Sequence, residues 1–366
     1  MQTASAESTG QLRADGRVRL NTPMIKRGLR RLLAGRWVSL PSVAKEARVL
    51  HPVERQRCAP AVYLPGALDK ISAISPYRSR SREWQLIQGG VLDQGASLAY
   101  RLENVEIFSP GVYCGPAMDH VAYGDERLLV RDVAAKSRLD QANLVVTWNG
   151  AHFFGPYLMS ELLLELLGED PARNISMSTK PYEHEPGYRA LLGLKRPPLV
   201  THAWVKELTI FSEPLQNGSK ARRWRILRER LRAVVPGAAN PYVYLKRGAT
   251  GERRVIDNEE DIERLLCDAG FDVVEPARLT AEEIVRRTLD ARLVVSMEGS
   301  HLAHLVYTLG DGGTLLVFQP PDRFALPYKE FTDCLGMRFA FLVGDKTAQG
   351  FRIAPDELAR MLELLA

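Results

Sequence analysis

Leu293-Val294-Val295-Ser296-Met297-Glu298-Gly299-Ser300-His301 reads as a strand without a polar face that runs into a glycine and then opens a helix. An apolar run of this kind, ended by a turn residue, is the pattern of a strand covered on both sides. Its neighbours continue the theme. Upstream, residues 242–246 predict a strand, 259–269 a helix stopped by Gly270, and 271–274 a strand. Thr280-Ala281-Glu282-Glu283 has capping-box chemistry and opens a helix to Ala291. Downstream, 300–309 predicts a helix, 314–318 a strand, 328–335 a helix, 339–343 a strand and 355–365 a closing helix. Strands alternating with helices imply right-handed crossovers and a parallel, doubly wound sheet. Such sheets bind ligands beyond the carboxyl ends of their strands, so the loops after Lys246, Ser296 and Phe318 are the places to look for chemistry.

The loop Glu298-Gly299-Ser300-His301 suits an anion. Gly299 allows close backbone approach, and the amides of Ser300, His301 and Leu302 would point out of a helix start, where the dipole favours negative charge. A plain serine-capped helix is the alternative. Lys246-Arg247-Gly248 ends the first strand, and a guanidinium there can grip a phosphate with two prongs. Arg253 and Arg254 follow closely; a solvated charge cluster is the competing reading. Glu298, His301 and His304 resemble metal ligands, but the histidines are three apart, whereas zinc motifs more often use pairs four apart. No metal site is expected. Glu298 is instead expected to accept hydrogen bonds from sugar hydroxyls, His301 to donate to a phosphate, and His304 to be a satisfied core histidine.

The amino-terminal half is less regular. Short strand candidates lie at 61–65, 105–108, 111–113 and 119–123, with a better one at 144–148. The last leads through Asn149-Gly150-Ala151-His152 into 153–167, which reads as a buried helix; further strands are expected at 199–201 and 208–211. His152 stands where strand turns into helix. A neutral imidazole near pH 7 is a good general base, and a histidine that merely holds the turn is the even alternative. Glu183-His184-Glu185 reads as a surface loop. The basic helix 219–235 reads as a solvated or interdomain face, with no nucleic-acid module around it.

The chain has 366 residues, 45% hydrophobic and 25% charged, which fits two globular domains and argues against disorder. No segment is apolar for long enough to span a bilayer. Cys58, Cys114, Cys267 and Cys334 are scattered and read as packing residues in a reducing compartment. The amino terminus shows no secretory pattern, so a cytoplasmic location is expected, with peripheral contact at the inner membrane as an option. Net charge is +5, but residues 1–60 hold twelve Lys/Arg against four Asp/Glu, a local +8 that leaves −3 for the rest. Within that segment Ile25, Leu29, Leu32 and Leu33 recur at helical spacing beside Lys26, Arg27, Arg30 and Arg31. Such a helix either rests on an anionic membrane through residues 24–36 or docks on its own core with its arginines in water. Docking on the core is the expectation.

Tyr242-Val243-Tyr244-Leu245-Lys246-Arg247, then Arg253-Arg254-Val255-Ile256-Asp257-Asn258-Glu259, then the 291–304 segment follow in an order that resembles glycosyltransferase family 61, which includes bacterial capsular-polysaccharide enzymes. Asn149-Gly150-Ala151-His152-Phe153-Phe154 is similar to the family's Asn-x-x-His-aromatic element. The resemblance is good over 240–345 and weaker over 140–240. Where many members have Ala-His-Gly-Ala-Gly, this chain has Met297-Glu298-Gly299-Ser300-His301, and Pro156 stands where an acidic residue is frequent.

The resemblance implies an α/β, GT-B-like fold: two Rossmann-like lobes facing a cleft, the amino-terminal one more irregular. The organisation expected is a flexible arm over 1–20, an acceptor-side lobe over 21–238, a nucleotide-sugar-binding lobe over 239–350 and a carboxy-terminal helix over 351–366. It also implies an inverting hexosyl- or pentosyltransferase that moves sugar from a nucleotide-sugar, expected to be UDP-linked, to a hydroxyl of a polysaccharide, glycolipid or related acceptor. No cofactor would be obligatory. Lys246, Arg247, Gly299, Ser300 and His301 would hold the donor, with His152 as base and Glu298 in reserve. A nucleotide-sugar epimerase or hydrolase, and a non-catalytic membrane-surface assembly protein, are the competing functions.

Overall fold

The computed structural model describes residues 17–35, 38–125, 127–178, 180, 182–237, 240–248 and 254–366. The arm expected over 1–20 therefore lies almost wholly outside the described residues, as does Arg253. The structure is mixed α/β, as expected.

The carboxy-terminal sheet has five parallel strands, numbered here within that sheet: β1 (Tyr242–Leu245), β2 (Asp272–Val274), β3 (Ala291–Met297), β4 (Leu309–Gln319) and β5 (Arg338–Val343). Their spatial order is β2-β1-β3-β4-β5. Alternate residues face opposite ways, and both faces are apolar. Val243, Val294, Leu315 and Phe341 join one buried cluster, while Tyr244, Val295, Leu316 and Leu342 join another. Helices Glu259–Asp268 and Pro355–Leu365 cover the second face. The capping box of helix Ala281–Thr288 is formed between Thr280 and Glu283. The edge of β5 is closed by Val62, whose N–H donates to Phe339 and whose carbonyl accepts from Phe341, at 2.9 and 3.0 Å. Capping by a neighbouring segment removes an exposed sheet edge.

The amino-terminal half departs from a Rossmann-like lobe. Its seven-stranded sheet is mixed: Ser97–Phe108 pairs antiparallel with His202–Ser212, Gly111–Cys114 and Glu46–His51, while Ser137–Leu144 runs parallel to His202–Ser212. The turns joining Ser97–Phe108, Gly111–Cys114 and Ala117–His120 are too short for a parallel crossover, which needs a dozen or more residues. Residues 61–65 form no strand beyond the Val62 bridge, and the strand expected at 144–148 ends at Leu144. The expected helix over 153–167 is broken into short turns, Phe154–Pro156, a π-turn at Tyr157–Glu161, and Leu162–Leu164, with Pro156 near its start.

Helix Gly218–Val234 lies between the two halves, with one side buried and the other, which carries Arg222, Arg225 and Arg230, solvated as expected. Its Trp224 is buried, and Arg228 donates to the carbonyls of Val306, at 3.0 Å, and Leu309, at 2.6 Å. One apolar cluster includes Leu158, Trp224 and Leu227 of this half with Val294, Leu302 and Phe331 of the parallel-sheet half. The Glu183–Glu185 loop is also more interior than its polarity suggests. Glu185 is buried against Arg189, and His184 Nε2 donates to the Leu279 carbonyl at 2.9 Å. Of the cysteines, Cys267 is exposed and the other three are buried.

Helix Thr22–Ala34 does not dock as expected. Leu29, Leu32 and Leu33 are exposed, whereas the contacts to the body come from its polar and amino-terminal residues. Lys26 pairs with Glu106 at 3.3 Å, and Asn21, the cap, bonds Tyr113 at 3.1 Å.

Candidate functional site

In the order β2-β1-β3-β4-β5 the chain reverses direction of travel between β1 and β3. The crevice outside the carboxyl ends of strands at such a switch point is where open α/β sheets bind ligands. Lys246 and Arg247 directly follow β1; Glu298, Gly299 and Ser300 directly follow β3. Two sequence-nominated elements far apart in the chain thus meet at the switch point.

Their contact is specific. Arg247 Nη1 donates to the main-chain carbonyl of Glu298 at 2.9 Å, and Arg254 Nη1 donates to the same oxygen at 2.8 Å. Arg254 also ion-pairs with Glu298 Oε2 at 2.5 Å. Arg247 and Glu298 are buried. Both guanidiniums thus meet at the Glu298 carbonyl and Arg254 also at its carboxylate, two cations to one anion, a positive balance where desolvation strengthens electrostatics. In sequence Arg254 stood in a basic cluster and in one of the elements that carry the resemblance, with no role assigned; its partner lies 44 residues away. Lys246 goes elsewhere. Its Nζ donates to Glu263 at 2.6 Å, on the helix covering the sheet, and this hydrogen bond raises its pKa.

Gly299 sits between Arg247 and His301. A Cβ there would lie 2.6 Å from Arg247 Nη1 and 3.0 Å from His301 Nδ1. Its backbone is extended, with φ 161° and ψ 167°, so the glycine is needed for space rather than for conformation. Ser300 is exposed at the mouth of the loop. The expected helix over 300–309 is a 3-10 turn, Ser300–His304, followed by the short α-helix Leu305–Thr308. The Leu302 N–H is spent on the Gly299 carbonyl at 3.1 Å, so it is not offered to an anion.

The two histidines of the loop are interior. Ser296 Oγ donates to the Leu245 carbonyl at 2.6 Å, so its oxygen receives the N–H of His301 Nε2 at 2.9 Å. That leaves Nδ1 as the acceptor beside Gly299. Burial, then the nearby Arg247 and Arg254, push the His301 pKa down to about 3. His301 is therefore neutral, and its Nε2 proton goes to Ser296 rather than to a phosphate. His304 lies 2.6 Å from the Tyr188 hydroxyl through Nδ1 and is packed by Phe154 and His184 at ring distances of 5.1 Å. It is a satisfied core histidine, as its sequence setting suggested.

His152 lies in the helical turn Trp148–His152, capped by Thr147, whose Oγ1 accepts from the Gly150 N–H at 2.9 Å. His152 Nδ1 is 2.7 Å from the Trp148 carbonyl. A carbonyl only accepts, so Nδ1 carries a proton, and in the neutral tautomer this selects it is Nε2 that holds the lone pair. The ring stacks on Trp148 at 4.3 Å, with Tyr123 at 5.2 Å and Phe153 at 6.4 Å. Trp148, Tyr123 and Phe153 are all exposed, as is Tyr77, which meets Phe153 at 6.4 Å. Lys180 Nζ donates to the His152 carbonyl at 2.8 Å. This aromatic rim was not foreseen; the local density of Trp, His and Phe within 148–154 was its only signal, and Tyr77 and Tyr123 join it from elsewhere in the chain.

The Phe153-Phe154-Gly155 segment ties His152 to the switch point. A Cβ on Gly155 would lie 3.0 Å from the Tyr328 hydroxyl and 3.5 Å from both Cα and Cβ of Ser300. Tyr328 opens toward the same place from the start of helix Pro327–Leu335, and burial, with Glu298 nearby, raises its phenol well above the usual range.

Residues 142–315 match the model of the family described as Glycosyltransferase 61. Over that segment, 174 of the 366 residues, the chain is similar to glycosyltransferase family 61. The matched segment contains every residue nominated from sequence, from His152 to His301, and the family's typical activity is glycosyl transfer. No curated protein matches the chain.

Proposed function

We propose that this protein is a glycosyltransferase of family 61, an inverting enzyme that moves a sugar from a nucleotide-sugar to a hydroxyl of a polysaccharide, glycolipid or related acceptor. The observation that carries the reading is the convergence of Arg247, Arg254 and the Glu298–Ser300 loop at the β1/β3 switch point, with Gly155 of the His152 segment packed on Ser300.

In this reading the donor's diphosphate lies against Arg247 and the Gly299-Ser300 backbone. As the glycosidic C–O bond breaks, negative charge grows on the leaving diphosphate, and fixed cations that need no reorganisation stabilise it. Glu298 holds Arg254 in place, which makes it a partner of the donor site rather than the base. His152 Nε2 takes the proton of the acceptor hydroxyl as that oxygen attacks the anomeric carbon from the opposite face. The Trp148 carbonyl fixes the tautomer that leaves Nε2 free to do so. Trp148, Tyr123 and Phe153 offer flat apolar faces on which an acceptor ring can lie, which favours transfer over hydrolysis.

The test is a thermal-shift panel of UDP, GDP, ADP, CDP and CMP, each with and without divalent metal. A ligand at 100 times its dissociation constant stabilises a fold by about 2.7 kcal/mol. The expected result is a metal-independent shift with one diphosphate, UDP first, that Arg247→Ala abolishes. No shift with any nucleotide overturns the reading. Donor turnover without acceptor would replace it with a hydrolase or epimerase.

A further inference from the structure

Helix Thr22–Ala34 is amphipathic, yet its apolar side faces away from the protein. Ile25, Leu29, Leu32 and Leu33 are 36%, 59%, 82% and 90% exposed. Around a helix these positions fall on one side, and Pro23, Met24, Arg27 and Arg30 fall on the other. That other side meets the body. Met24 packs on the Phe108–Tyr113 cluster, Arg27 lies near Asp119, and Arg30 reaches Gly115.

The apolar surface continues beyond the helix. Val18–Leu20 pairs antiparallel with Val130–Asp132, and the Asn21 N–H donates to the Leu129 carbonyl at 2.6 Å. Val18, Leu20, Leu128, Leu129 and Val130 are all at least 47% exposed. Charge identifies the occupant. Residues 16–45 contain eight Lys/Arg and no Asp or Glu. Of these, Arg17, Arg19 and Arg31 are exposed on or next to the strand and helix that carry the apolar patch; a second copy would set these cations against their own kind, whereas an anionic bilayer complements them and also accepts the leucines.

We propose that this face docks on the surface of an anionic membrane, with Leu29, Leu32 and Leu33 entering the headgroup–acyl boundary and the exposed Arg17, Arg19 and Arg31 lying among the phosphates. The inference does not depend on the catalytic reading. No described helix is long and apolar enough to cross a membrane, so the contact is peripheral at this surface.

The test is sedimentation of the full chain with vesicles of phosphatidylcholine alone and of phosphatidylcholine with 30% phosphatidylglycerol, at low and high salt. Binding at least tenfold stronger to the anionic vesicles is expected. It should weaken but persist in high salt, because the leucines are not screened. The double variant L32S/L33S should lose at least tenfold in binding with its melting temperature unchanged, since both side chains are already in water. Equal binding by wild type and variant, or none by either, overturns the proposal. So does a concentration-dependent dimer that the variant abolishes in the absence of vesicle binding.

Discussion

His152 donates its Nδ1 proton to the Trp148 carbonyl at 2.7 Å, and the two rings stack at 4.3 Å. The same neighbour therefore sets both tautomer and ring plane. His152→Gln keeps a donor for that carbonyl but removes the basic nitrogen. Once the diphosphate panel has named the donor, the variant should lose about 10²–10⁴-fold in kcat with donor affinity unchanged. Turnover within threefold of wild type would remove His152 from the mechanism.

Gly299→Ala tests the donor side. The added methyl meets Arg247 Nη1 at 2.6 Å and His301 Nδ1 at 3.0 Å, while the extended backbone accepts alanine without strain. Diphosphate affinity should fall at least tenfold, by displacement of the guanidinium, in a protein that remains folded by circular dichroism. Unchanged affinity would place the anion elsewhere.

Two buried groups give stability a pH dependence with opposite signs. Burial, opposed by the Thr147 N–H at 2.9 Å, pushes the Glu161 pKa up from 4.5 to about 8. Its folded value lies above its unfolded one, so its contribution is fully present below 4.5 and is lost as pH rises through 8. The His301 pKa is down from 6.5 to about 3, so stability is present above 6.5 and lost as pH falls towards 3. Each slope is roughly 1.4 kcal/mol per pH unit within its window. Urea melts from pH 4 to 9 should show Glu161→Gln removing the alkaline decline and His301→Gln softening the acid one. Parallel profiles for all three proteins would refute both assignments.

Arg189 grips Glu165 with two nitrogens, at 2.8 and 3.1 Å, and Glu185 with a third at 3.0 Å, all three residues being buried. Arg189→Met strands Glu165 and leaves Glu185 with Arg196 Nε at 3.4 Å. A loss of about 3–5 kcal/mol is expected in urea unfolding. Combining it with Glu165→Gln and Glu185→Gln should restore much of that loss; failure of the rescue would mean that packing, not charge, is the cause.

Much of the parallel half was legible from local pattern. The alternation of apolar runs with capped amphipathic segments dictated β1 to β5 and their helices, because each of those elements is chosen by its own periodicity and end signals. Arg247 and the Glu298–Ser300 loop were legible too, since a doubly wound sheet puts strand ends at one rim whatever else surrounds it. The amino-terminal half was not. Strands there owe their pairing to partners about a hundred residues away, as Ser97–Phe108 does to His202–Ser212.

Tertiary structure alone decided three things. It brought Arg254 to Glu298 and Gly155 to Ser300, contacts between residues whose separation in the chain carries no local signal. It turned His301 from a phosphate donor into a neutral buried ring, because protonation depends on the cations and the burial around a group rather than on its identity. It also chose which side of helix Thr22–Ala34 meets the protein. Periodicity divides a helix into an apolar and a basic side, but only the shape and charge of the surface beneath it, here Glu106 and Asp119, determine that the basic side turns in and the leucines turn out.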